Sequence, residues 1–139
     1  MIEVDLARQL KDAGLAWQPT ERDCFTIPDS QLDGQVFVLS QVMTQLALLK
    51  GQPALTFHGS SEWALDYLFT TDALWLPSEA QLRQAIERLA GDDAALVLER
   101  TRQGYRCRVS SGEAAWAGEA AGADAAYAKT LLAILQSRS

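Results

Sequence analysis

The residues best suited to proton transfer lie together in the segment His58-Gly59-Ser60-Ser61-Glu62. His58 is the only histidine in the chain, and imidazole is the side chain that ordinarily changes charge near neutral pH. Paired with Ser60 or Glu62, it would suit a small hydrolase or transferase. Nucleophilic catalysis also needs a group that orients the base, and the sequence has no motif for one. We therefore expect His58 to be structural and keep the hydrolase or transferase as an alternative.

The two cysteines do not form a metal-binding pattern. Cys24 and Cys107 are far apart in the sequence, and a zinc site made of them and His58 would lack the close ligand spacing of structural zinc sites. We expect two reduced, partly buried thiols. The glycines match neither a dinucleotide-binding nor a Walker pattern, so we expect no cofactor.

Aromatic residues are concentrated just after His58. Trp63, Tyr67, Phe69 and Trp75 fall within thirteen residues. Such a group can line a ligand pocket or join two layers of a core, and the core is the commoner use. We take Trp63, Tyr67, Trp75 and His58 as the candidate binding residues.

Four elements are expected to position these residues. Ala54–Phe57 and Ala73–Leu76 read as short strands, and Trp63–Leu68 as the apolar side of a short helix. Ser78–Gln81 forms a capping box, and Gly91 ends the helix that follows it. The buried face of that helix is expected to be Leu82, Ala85, Ile86 and Leu89.

The N-terminal part predicts one helix and several strands. The helix covers Glu3–Ala13, and Cys24–Ile27 forms a short strand. Val36–Leu39 is apolar at every position, which predicts a central or covered strand. Gln41–Leu49 fits a helix or a strand; the turn Lys50–Pro53 favours a strand that forms a hairpin with the next one.

The C-terminal part predicts a hairpin, a further strand and a last helix. Gln103-Gly104 is the expected turn between Ala95–Arg102 and Tyr105–Ser110. Ala114–Gly118 is expected to add a strand, and Asp124 to cap the helix. The expected cross-strand pairs are Leu98 with Val109 and Glu99 with Arg108. The hairpin contains four arginines. We expect Arg100 and Arg102 on one face and Arg106 and Arg108 on the opposite face. We interpret them as the charges of a solvated strand edge. The inward residues of the last helix are Tyr127, Leu131, Ile134 and Leu135.

Composition limits the classes of partner. The chain has 139 residues, is 48% hydrophobic and carries a formal charge of −6. An acidic surface repels phosphate backbones and anionic membranes, so we expect neither nucleic acid nor membrane as a partner. The beginning of the sequence does not resemble a signal peptide, which favours the cytoplasm.

Strands that come in runs, with helices between the runs, predict an α+β fold with mostly antiparallel pairing. We expect helices at both termini and two central helices. The length favours one domain, residues 1–139, in which two similar α-β lobes would cover 1–76 and 77–139.

Two segments resemble a group of uncharacterised bacterial proteins. These are Glu62-Trp63-Ala64-Leu65-Asp66 and Leu74–Arg83, which is LWLPSEAQLR; Leu15–Pro19 also fits the group. Some of its members are loosely labelled as pilus-assembly proteins. The resemblance implies no activity and no catalytic residues.

The leading hypothesis is a non-catalytic accessory or adaptor module that binds another protein through an aromatic-rich surface, as a monomer or a homodimer. A secretion-chaperone-like or immunity-like protein is the second binding hypothesis, because small acidic α+β domains are common in both classes.

Overall fold

A computed structural model describes the chain over residues 1–39, 44–49, 51–57 and 67–138. The helices are α1 (Val4–Asp12), α2 (Glu79–Ala90) and α3 (Ala123–Ser137), with a short 3-10 turn at Thr70–Asp72. The strands are β1 (Cys24–Thr26), β2 (Val36–Val38), β3 (Thr44–Leu49), β4 (Gln52–Phe57), β5 (Tyr67–Phe69), β6 (Leu74–Leu76), β7 (Ala95–Thr101), β8 (Gly104–Ser111) and β9 (Ala114–Ala120).

The fold class is α+β, as predicted. The described strands form three antiparallel sheets of three strands each, in the orders β2-β1-β6, β3-β4-β5 and β7-β8-β9. The chain divides into two compact units. One is Trp17–Leu76, and the other joins Met1–Ala16 to Pro77–Ser139. The division after Leu76 falls where the two predicted lobes meet, but the N-terminal helix belongs with the C-terminal unit.

Within Trp17–Leu76, aromatic residues build a small core on the sheet β2-β1-β6. Phe25 lies opposite Phe37 in the register, and its ring centroid is 5.6 Å from that of Phe37 and 5.4 Å from that of Trp17. Since Phe25 is only 1% exposed, it is the centre of this core. The buried members of the cluster are Phe25, Ile27, Leu39 and Ala73.

The prediction that Val36–Leu39 forms a central or covered strand is wrong. β2 stands at one end of the sheet order, and Val36 and Val38 are 48% and 63% exposed. An unbroken apolar run is typical of a strand buried on both faces, but here only Phe37 and Leu39 face the core. Pairing with β1 therefore decides which side chains of this run are buried.

The sheet β3-β4-β5 resolves the choice between helix and strand at Gln41–Leu49. Thr44–Leu49 is a strand and pairs with β4 as a hairpin, with Leu49 opposite Gln52. The helix expected over Trp63–Leu68 is wrong at its end, because Tyr67 and Leu68 belong to β5 and pair with β4. The rest of that prediction lies outside the described residues.

The C-terminal hairpin has a different register from the predicted one. Leu98 lies opposite Cys107, Glu99 opposite Arg106, and Thr101 opposite Gly104, so the turn consists of Arg102 and Gln103. The register differs by two residues from the prediction. Because side chains alternate between faces with a period of two, the residues that stay in the strands keep their predicted faces. Arg102, which was expected in the strand, lies in the turn.

α2 begins and ends as predicted. The hydroxyl of Ser78 accepts a hydrogen bond from the backbone N–H of Gln81 at 3.2 Å, and the Gln81 side chain accepts one from the backbone N–H of Ser78 at 2.9 Å. Gly91 follows the helix with φ +92°. Leu82, Ala85 and Ile86 are buried, whereas Leu89 is half-buried.

α3 packs against β8 and β9 on one side and contacts α1 and α2. Its buried residues include Tyr127, Leu131 and Ile134, as predicted. Asp124 is not the N-cap, contrary to the prediction, because Gly122 holds that position. Asp124 instead lies in the first turn, where it pairs with the amino terminus of Met1 at 2.8 Å.

Candidate functional site

The structure describes only part of the aromatic site predicted from the sequence. His58 and Trp63 lie outside the described residues, and Tyr67 is described only through its backbone in β5. Trp75 is in β6, opposite Phe25. A cleft formed by these four residues therefore remains a prediction.

Trp75 has an unusual environment for its polar atom. Its side chain is half-buried, and its indole Nε1 is buried without a hydrogen-bond partner among the described residues. A buried donor that makes no bond costs about 1 to 3 kcal/mol. Trp75 is thus a predicted site residue whose polar atom is buried away from solvent and makes no hydrogen bond within the described residues.

Trp17, by contrast, is held by a buried carboxylate. Its Nε1 donates to Oδ2 of Asp23 at 2.9 Å, and the backbone N–H of Thr20 donates to the same oxygen at 2.9 Å. The Thr20 hydroxyl donates to Oδ1 at 3.0 Å. Asp23 is only 4% exposed, and a buried carboxylate needs such donors. This network supports the aromatic core and has no free group for chemistry.

A second candidate surface lies on the sheet β7-β8-β9. Helix α3 covers one face of this sheet. The opposite face, which we call the open face, is formed by nine residues in three rows across the strands. The rows are Ala95, Ser110 and Ala115; Val97, Arg108 and Ala117; and Glu99, Arg106 and Glu119.

Two rows of the open face are apolar apart from Arg108 and Ser110. Ala95, Ala115 and Ala117 are exposed, and Val97 is 46% exposed. An antiparallel sheet with one face in water normally alternates apolar and polar residues, so that its water-facing side is polar. Small side chains also leave a groove of about 500 Å³ along these rows. This size is within the range of ligand-binding clefts.

The third row of the open face is charged. Nε of Arg106 lies 2.5 Å from Oε1 of Glu119, and its Nη1 lies 3.4 Å from Oε1 of Glu99. The hydrogen bond and charge of Glu119, followed by the charge of Glu99, raise the pKa of Arg106, although desolvation opposes them. Arg106 therefore keeps its charge, which the two neighbouring carboxylates compensate.

Arg108 is less engaged than its neighbour. Its Nη2 lies 3.8 Å from Oε1 of Glu99, which is beyond hydrogen-bonding distance. The Arg108 side chain is 56% exposed and lines the groove together with Val97 and Ala117. The apolar part of the open face thus has one exposed cation, which is paired with Glu99 at ion-pair distance but not hydrogen-bonded to it.

Sequence reasoning placed Arg106 and Arg108 together on one face of the hairpin but missed the open face. The signal was present in the alternation of Ala95, Val97 and Glu99, and in that of Ala115, Ala117 and Glu119. Alanine and valine at water-facing positions look like core residues. Only the side taken by α3 identifies which face remains in contact with solvent.

The described residues hold no group of three or more histidine, cysteine, aspartate or glutamate side chains that could bind a metal ion. Both cysteines are free, with Cys107 buried and Cys24 half-buried. No helix in the described part of the chain is both long and apolar enough to cross a membrane.

Comparison with known proteins gives no relative. No family model matches the sequence, and neither a curated protein nor a solved structure matches the chain.

Proposed function

We propose that this protein is a non-catalytic accessory or adaptor module that binds another protein in the bacterial cytoplasm. The observation that carries the proposal is the open face, where exposed alanine and valine side chains lie beside Arg108 on a sheet whose other face is covered by α3. Burying such a face removes apolar surface from water, which favours binding by about 25 cal/mol for each Å² buried.

The charge of the chain supports a protein as the partner. At −6 overall, the molecule is repelled by nucleic acid and by anionic lipid. Protein interfaces commonly have an apolar centre and a polar rim. The open face has this arrangement, because its two apolar rows adjoin the row of Glu99, Arg106 and Glu119.

Site-specific photocrosslinking in cells tests this proposal. A photoreactive amino acid replaces Val97 in the open face, and the control replaces Gln103, which is exposed in the turn of the same hairpin. We expect a discrete crosslinked species at position 97 and none at position 103. The same species should disappear when Ala117→Glu is added. Equal crosslinking at both positions, or none at either, contradicts the proposal.

The proposed aromatic site and the enzymatic alternative have a separate test. His58→Gln keeps a hydrogen-bond donor and removes proton transfer near pH 7. We expect this variant to fold and to retain the crosslink at position 97. If a hydrolase substrate is found and the variant turns it over a hundredfold or more slowly, which is the scale of general acid–base catalysis, the non-catalytic proposal fails.

A second copy of this chain is the other partner to test. Light scattering over a range of concentrations distinguishes a monomer from a homodimer. A dimer that dissociates in the Ala117→Glu variant would identify the second copy as the protein bound by the open face.

A further inference from the structure

We infer that the open face binds a single amphipathic helix of a partner protein, and that this helix places a carboxylate against Arg108. The inference rests on the proposed function and names the kind of segment that is bound. Three observations support it: the size of the face, its position relative to the hydrogen bonds of the sheet, and the distribution of its charges.

The open face is too small for a stable dimer of this chain. The nine residues of the open face span five positions of each strand and three strands, about 17 Å by 15 Å, which gives about 250 Å². A stable protein–protein interface buries about 800 Å² on each partner. The size therefore favours one slender element over a second copy packed sheet against sheet.

A helix has the dimensions of this surface. One helix is about 10 Å across, and about 11 of its residues span 17 Å. The occupant meets the face of the sheet and not its edge, so the hydrogen bonds of the ladder are already made between β7, β8 and β9. A strand bound there would leave its own backbone groups unpaired, which is costly away from water. A helix pairs its backbone groups internally.

Small side chains in the floor allow the helix to approach closely. Ala95, Ala115 and Ala117 leave a groove beside Val97, and larger apolar side chains of a helix can enter it. Helical residues at i, i+3, i+4 and i+7 form one apolar side. This pattern is what we expect in the bound segment.

The charged residues of the open face favour an acidic residue at the centre of the bound helix. Arg106 is flanked by Glu99 and Glu119 at hydrogen-bonding distance. Arg108 lies farther from Glu99, at 3.8 Å, and adjoins the apolar rows. An arginine can bind a carboxylate through two parallel hydrogen bonds, and this contact would orient the helix on the groove.

A phage-displayed library of helical peptides about 16 residues long, enough to cover the open face and extend past it at both ends, tests the inference. Four positions on one side of the helix are randomised. The library is selected against the wild-type chain and counter-selected against Ala117→Glu, whose larger, charged side chain fills the groove. Melting curves of all variants confirm that they are folded. The enriched peptides are synthesised, and their affinities are measured by fluorescence anisotropy.

We expect the enriched peptides to carry apolar residues and one aspartate or glutamate on the randomised side. Replacing that residue by lysine should weaken binding to wild type at least tenfold. Arg108→Glu should reverse the preference, while Arg108→Gln should remove it. Arg102→Glu, in the turn outside the open face, is the matched control and should change neither affinity.

Several outcomes overturn the inference. These are the recovery of no peptide, equal binding of the acidic and lysine peptides, and peptides whose binding is unaffected by Arg108→Glu. Dissociation of a wild-type dimer by Ala117→Glu also contradicts it, because the second copy would then occupy the face. If the crosslink at position 97 is present and the peptides fail, the helix is wrong and the proposed function stands. If the crosslink is absent as well, both fail.

Discussion

Gly118 of β9 and Thr130 of α3 approach so closely that a Cβ atom on Gly118 would lie 2.7 Å from the backbone nitrogen of Thr130. The same atom would lie 2.8 Å from the carbonyl oxygen of Ala126. The Thr130 hydroxyl donates to that oxygen at 2.9 Å. α3 therefore packs on the sheet backbone directly at Gly118.

Gly118→Ala should lower the free energy of unfolding by about 3 kcal/mol, because overpacking forces the backbone of α3 to move. Urea melts measure this. Gly112→Ala is the control: its Cβ meets nothing within 4 Å, and its φ of +60° should cost about 1 kcal/mol. Adding Thr130→Ala should not restore the stability lost in Gly118→Ala, because the added Cβ would also clash with backbone atoms of Thr130 and Ala126. Full restoration would mean that the helix does not lie this close.

The buried carboxylate of Asp23 should contribute strongly to the free energy of unfolding. Asp23→Ala leaves Nε1 of Trp17 and the backbone N–H of Thr20 without their acceptor, and should cost about 3 kcal/mol. Asp23→Asn keeps one oxygen for these donors and turns its amide to the Thr20 hydroxyl, so its cost should be about 1 kcal/mol. Thermal melts monitored by tryptophan fluorescence compare the two. Equal losses would contradict the described network.

Asp124 should make stability depend on acid pH. Burial favours its neutral form, but the hydrogen bonds from the amino terminus and from the N–H of Ala125 prevail and lower the pKa of Asp124 below its usual 3.8. A group with a lowered folded-state pKa stabilises the protein fully above its unfolded-state pKa, and this contribution is lost as pH falls through the folded-state value.

Asp124→Asn should therefore be less stable than wild type by about 1 kcal/mol at pH 7, and the difference should shrink steadily below about pH 4. Urea melts at several pH values measure it. Asp93→Asn is the control, since Asp93 is exposed in the turn before β7. A difference between Asp124→Asn and wild type that is constant from pH 7 to pH 2 would show that the charge of Asp124 does not stabilise the fold.

The two cysteines should react at different rates. Burial raises the pKa of the Cys107 thiol, and a hydrogen bond with Thr130 only partly opposes this. Because the thiolate is the reactive form, a disulfide reagent at pH 8 should modify Cys24 at least about tenfold faster than Cys107. The Cys24→Ser and Cys107→Ser variants isolate each reaction. In guanidinium chloride the rates should become similar. Fast modification of Cys107 in the native state would contradict its burial.

Local sequence determined the elements whose signals lie within a few residues. The capping box of α2 depends on Ser78 and Gln81, which are three positions apart, and Gly91 ends the same helix with a positive φ. The hairpin partner of β4 was predicted from the turn that precedes it. Hydrogen bonds between near neighbours decide such features, so they can be read without knowing the fold.

Only the tertiary structure decided the register of the C-terminal hairpin. Gln103-Gly104 looks like a turn, yet Gly104 is paired with Thr101. A Cβ atom at Gly104 would collide with the Ala120 carbonyl oxygen and lie 2.6 Å from Cα of Ala121. The glycine is therefore required where the end of β9 approaches β8, and that requirement comes from residues distant in sequence.

The tertiary structure likewise decided which apolar side chains are buried. Val36 and Val38 read as part of a covered strand but lie at the end of a sheet, and the apolar side chain of Val97 lies on the open face. Hydrophobic periodicity assigns the residues of a strand to two faces, but it does not determine which face a neighbouring element covers. Covering one face with α3 left Val97 in solvent beside Arg108, and the candidate site exists because of that packing.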